Sequence, residues 1–125
     1  MNKRIWIKIA AFAAALSVVL GAFGAHGLES SLTPRSMATF NIAVHYQFLH
    51  SLAIFVLVSL PNDLVASRLV SWAAKSFLVG IIMFSGSLYI LLYSGFSWLG
   101  MITPLGGVAF IIGWALIFFS VKRPQ

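Results

Sequence analysis

The chain has 125 residues, of which 61% are hydrophobic and 8% charged, with a net charge of +6. A water-soluble domain carries about 25% charged residues, so too little polar surface is present to cover a globule in water, and lipid must be the solvent. The basic residues are scattered between apolar runs and form no stripe, which excludes nucleic acid as a partner, and the lack of cysteine excludes disulfides, thiolate nucleophiles and Cys-ligated metals.

A mean hydropathy of +1.02 and this length fit one all-α membrane domain over residues 1–125. The apolar runs predict four transmembrane helices in a compact bundle, at about 5–25, 43–60, 73–93 and 103–121. The first run follows Met1-Asn2-Lys3-Arg4 and has the outline of a secretory signal peptide. It is long enough to span, however, and three more runs follow, so it is expected to be retained. Ala14, Ser17, Gly21 and Gly24 recur at three and four, a smooth stripe that lets another backbone come close. Gly27 is the expected stop of this helix, His26 to Leu32 the first loop, and Thr33-Pro34 the next start, as cap plus first-turn proline.

No breaker occurs between Pro34 and Leu60, a length of roughly 40 Å at 1.5 Å per residue. That exceeds a hydrocarbon core of about 30 Å, so Arg35, Ser36, Thr39 and Asn41 are expected in the headgroup layer, His45 to Gln47 near the outer boundary and His50 well inside. At about 100° per residue, Tyr46, Gln47 and His50 share one face and stand three and four apart, close enough to meet. Pro61-Asn62-Asp63 ends this span and can cap the third helix, which passes Arg68, Trp72 and Lys75 at the interface before Phe84-Ser85-Gly86-Ser87-Leu88-Tyr89. Gly86, Tyr89 and Tyr93 fall on one of its faces. After an uncharged link from Ser94 to Met101, Thr103-Pro104 is the expected cap and first turn of the fourth helix, whose Gly106, Phe110, Gly113 and Ile117 form a groove.

Lys3, Arg4, Lys8, Arg68, Lys75, Lys122 and Arg123 fall at one side of this arrangement and Arg35 alone at the other. The positive-inside rule then places both termini in the cytoplasm.

Ionisable groups within a bilayer are functional candidates by default. Glu29 and Asp63 fall at helix ends, which leaves His50 as the sharpest candidate. It can relay protons, ligate haem or metal, or contact a polar ligand; equally, its ring nitrogens can bond Tyr46, Gln47 or a neighbouring helix and fix helix contacts. His26 can approach from the outer side, but no H-x-x-x-H or H-x-x-E spacing supports a metal site. The candidate polar cluster is therefore His26, Tyr46, Gln47, His50, Ser85 and Tyr89. The small residues expected to pack helices are Ala14, Ser17, Gly21, Gly24, Gly86, Gly106 and Gly113. No catalytic residue, metal or cofactor is expected.

Four stretches carry a family resemblance: Gly21 to Leu28, Tyr46 to His50, Phe84 to Tyr89, and Thr103 to Phe110 with Gly113-Trp114. In this order and spacing the chain resembles domain-of-unknown-function family 423, small inner-membrane proteins typified by YgdD and YwdK. The likeness runs from about Met1 to Val121 and takes in His26, Tyr46, Gln47, His50, Ser85, Tyr89 and Thr103. It implies a multi-pass protein of the bacterial cytoplasmic membrane with four helices, and it implies no activity.

Three readings follow. The first is a non-enzymatic bundle whose partners are the lipid bilayer and a membrane protein or a second copy of itself. The second is a small transporter or channel subunit with a polar path at His50. The third is a haem- or metal-dependent membrane enzyme using His26 and His50.

Overall fold

The computed structural model describes residues 1–124. Four helices are long and apolar enough to cross a membrane. They are α1 (Lys3–Leu28), α2 (Pro34–Ser59), α3 (Ser67–Ser94) and α4 (Thr103–Ser120), the last preceded by a short 3-10 turn, Ser97–Met101. Such a chain forms helices because lipid offers no partner for a free N–H or C=O, so each crossing must satisfy its own backbone. α1 lies along α2 and α4 along α3, and α2 against α3 joins the two pairs.

The inside-out pattern of a lipid-solvated protein is plain. Phe12, Val18, Val19, Ile82, Ile111 and Phe118 face outward, while Ile54, Ala73, Ala74 and Phe77 are completely buried. Because lipid tails are as apolar as leucine, such burial does little to hold the helices together; close packing and interhelical hydrogen bonds must do so.

Several expected helix ends move. Gly27 does not stop α1: the helix widens into a π turn, Gly24–Leu28, and continues to Leu28. Leaving the helix earlier would have freed backbone groups without partners. Neither Asn62 nor Asp63 caps α3. Its cap residue is Ala66, which makes no side-chain cap bond, and Asn62 instead accepts from the Ser67 hydroxyl at 3.3 Å. Thr103 is the first helical residue of α4 and not its cap. Its hydroxyl is drawn to the Ser87 hydroxyl of α3, 2.6 Å away. Thr33 does cap α2, accepting from Ser36 N–H at 3.1 Å, with Pro34 in the first turn. α3 closes on Gly95, whose φ of 73° is left-handed and favours glycine.

The two chain ends and the α2–α3 loop meet at one end of the bundle. Val65 and Val121 form an antiparallel bridge in which Ala66 N–H donates to Ser120 O at 2.8 Å and Lys122 N–H to Leu64 O at 2.9 Å. The Lys122 ammonium donates to Asn62 O at 2.6 Å and that of Lys3 to Leu60 O at 3.4 Å. All the basic residues but Arg35 thus belong to one end, the end that the positive-inside rule assigns to the cytoplasm.

Candidate functional site

α2 is the central helix, and its polar residues spread along different neighbours instead of pooling. His50 is 2% exposed and looks toward α3 and α4. Its ring stacks on Phe110 with centroids 3.6 Å apart, and the edge of Phe77 closes it at 5.1 Å. Nδ1 lies 2.9 Å from the Tyr46 carbonyl, and Nε2 lies 3.1 Å from the indole nitrogen of Trp114. A carbonyl can only accept and an indole N–H can only donate, so the network assigns a neutral ring with its proton on Nδ1. Both nitrogens are thereby used.

The seating of His50 depends on two glycines. Phe110 lies over Gly80 of α3, and Phe77 lies over Gly113 of α4; a Cβ at either glycine would overlap the ring. The two helices exchange phenyl rings, and the imidazole fills the space beside them. Further along, the α3 backbone at Phe84 comes so close to Gly106 that no Cβ fits between them. This is where α3 carries a π segment, Ile81–Gly86.

Gln47 is 3% exposed and faces the other way. Its amide nitrogen donates to Ala13 O of α1 at 2.9 Å, and its carbonyl oxygen accepts from the Tyr89 hydroxyl of α3 at 2.7 Å. One side chain therefore ties three helices. Ser85, fully buried, donates to Ala43 O of α2 at 2.6 Å, and Ser51 bonds back to Gln47 O at 2.5 Å.

The structure thus divides the polar face expected of α2. Gln47 and His50 are on one turn but share no hydrogen bond, and they serve opposite sides of the bundle. The Tyr46 ring, more than a third exposed, stacks among His50, Phe84 and Phe110, and only its backbone carbonyl enters the network. His26 is exposed in the last turn of α1, away from His50. Among the described residues no three His, Cys, Asp or Glu side chains come together as a metal site would need.

Three partners escaped the sequence reading. Trp114 was legible only as an aromatic beside Gly113; the Ala13 carbonyl carries no signal in sequence; and Gly80 was not among the expected packing residues, although Ala73, Ser76 and Gly80 recur at three and four. Of the expected packing positions, Ser17 and Gly24 are buried and Gly24 sits under Phe40, while a Cβ on Gly21 would reach Val44 at 3.3 Å. Ala14 is half-buried, and its carbonyl accepts from the Ser17 hydroxyl at 2.6 Å. Gly86 has no helix over it: a Cβ there would meet only Ile81 O, at 3.9 Å. It faces a cleft of about 550 Å³ between α1 and α3, lined also by Lys8, Phe12, Ala13, Gln47 and Tyr89.

The family model described as "Protein of unknown function (DUF423)" matches residues 20–107. The chain is 45% identical to UPF0382 membrane protein YwdK of Bacillus subtilis, over 96% of this chain and 98% of that one. It is 39% identical to UPF0382 membrane protein SH2409 of Staphylococcus haemolyticus, over 96% and 97%. With UPF0382 inner membrane protein YgdD of Escherichia coli it shares 35% identity, over 98% and 93%. No solved structure matches.

Proposed function

The chain belongs to the DUF423 family of bacterial multi-pass membrane proteins, and from that footing we propose that it is a non-enzymatic bundle that binds a lipid or a membrane partner on its outer flanks. The observation that carries this reading is the use made of the polar groups within the bundle. His50 spends both ring nitrogens, Gln47 both ends of its amide, and Tyr89 and Ser85 their hydroxyls, nearly all on holding helix to helix. No buried side-chain nitrogen or oxygen among the described residues lacks a partner. Polar atoms paired in this way with fixed groups of neighbouring helices are good fasteners where apolar burial contributes little.

The same geometry weighs against a path through His50, since Phe77, Phe110 and Trp114 close round its ring. The test is flux. Vesicles containing the protein and a trapped pH-sensitive dye should equilibrate an imposed pH gradient no faster than protein-free vesicles. Proton flux that rises with protein content and disappears in His50→Phe would overturn the reading. The orientation follows the basic end: residues 61–66 and both chain ends in the cytoplasm, residues 29–33 outside.

A further inference from the structure

The cleft between α1 and α3, of about 550 Å³, is roomier than the apolar groove of about 270 Å³ between α2 and α4. These two helices scarcely touch, and α2 forms its floor. Two small residues hold it open, Ala13 on α1 and Gly86 on α3, and the space in front of Gly86 is empty of other helices. From Leu78 to Ile90 the α3 wall runs roughly 18 Å, comparable to one leaflet's half of a hydrocarbon core of about 30 Å. The walls are apolar except at two places: the Gln47–Tyr89 pair at the far end, already hydrogen-bonded, and Lys8 at the basic end.

Lys8 is exposed, and among the described residues its ammonium has no hydrogen bond or ion pair. It lies five residues inside Lys3, roughly 7.5 Å deeper, within reach of the headgroup layer when its stem lies along the cleft. Lys75 of α3 stands one turn nearer the basic end than Leu78, on the same face by three-residue spacing. Its ammonium is 4.7 Å from the Trp72 ring centre, and among the described residues no carboxylate is paired to it. The mouth of the cleft is therefore cationic and its body is hydrocarbon-like.

We infer that this cleft is a binding site for one anionic phospholipid of the cytoplasmic leaflet, an acyl chain lying over Gly86 and the headgroup phosphate held by Lys8. The inference rests on the reading of the chain as a lipid- or partner-binding bundle and names its ligand. Size favours a chain over a partner helix. A helix is about 10 Å across, so an 18 Å length of one occupies roughly 1,400 Å³, far more than the cleft of about 550 Å³. The sign of the charge selects anionic lipids, which a basic residue near the cytoplasmic surface attracts.

The full chain in an uncharged detergent, titrated with palmitoyl-oleoyl phosphatidylglycerol or the matching phosphatidylcholine and read by native mass spectrometry, tests this directly. The expected result is one retained phosphatidylglycerol per chain, preferred over phosphatidylcholine by about fivefold. Lys8→Gln should keep a lipid but lose that preference. Gly86→Leu, whose side chain would enter the cleft without meeting another helix, should lower retention of either lipid at least tenfold. Unchanged retention in Gly86→Leu, or an unchanged preference in Lys8→Gln, overturns the proposal. Lys8→Gln alters an exposed position and decides the matter alone if Gly86→Leu does not accumulate. Neither outcome bears on the flux measurement, so the lipid site can fall while the bundle reading stands.

Discussion

Gln47 is the side chain whose removal should reveal most about how this protein is held together. Gln47→Leu keeps nearly the same volume but deletes the bonds to Ala13 O and to the Tyr89 hydroxyl. Interhelical hydrogen bonds in membranes average about 0.6 kcal/mol and reach about 1.7, so the loss of two should cost about 1–3 kcal/mol. The Ala13 carbonyl keeps its place in the α1 backbone ladder, whereas the Tyr89 hydroxyl is left half-buried without a partner, and that penalty dominates. Tyr89→Phe alone should cost about 0.6–1.7 kcal/mol. The double variant should be no less stable than Gln47→Leu by more than about 0.2 kcal/mol, because removing both partners removes the orphaned group. The assay is reversible unfolding in mixed micelles of uncharged detergent and dodecyl sulfate, with all four proteins in one cycle. Costs that simply add, to within about 0.3 kcal/mol, would refute the view that Gln47 and Tyr89 act as one fastener between α2 and α3.

The two adjacent glycines of α4 should behave oppositely. Gly106→Ala forces a methyl into the α3 backbone at Phe84 and should destabilise by about 1–3 kcal/mol in the same micelles, whereas Gly107→Ala has no neighbour nearer than 3.9 Å and should be neutral or gain up to about 1 kcal/mol. Trp114→Phe leaves Nε2 of His50 without its donor, and a loss of about 0.6–1.7 kcal/mol is expected by the same unfolding assay. Gly95→Ala must hold an L residue at φ 73° and should cost about 1–2 kcal/mol. As the chain has no cysteine, single cysteines report topology cleanly. Ser31→Cys should react with an impermeant maleimide added to intact cells, and Asn62→Cys only after the inner membrane is opened; the reverse pattern would invert the orientation.

Composition and periodicity alone determined that the solvent is lipid, that four helices cross it, and that all the basic residues but Arg35 share an end. Those properties follow from the cost of leaving a peptide group unsatisfied in hydrocarbon, which acts on every residue and so is written along the whole chain. The Thr33-Pro34 start of α2 was equally legible, because a cap bonds within its own turn. What a helix end or a polar side chain does against another helix was not. Gly27 continues a helix, Thr103 turns to Ser87, and Gln47 and His50 separate to opposite sides, since each answers to an atom remote in sequence. Only the assembled bundle could set Trp114 beside His50, slide Phe110 over Gly80, and leave Gly86 facing an open cleft instead of a neighbour. The physical reason is that in lipid the specificity of packing lies in pairs of surfaces, and one chain read residue by residue shows only one surface at a time.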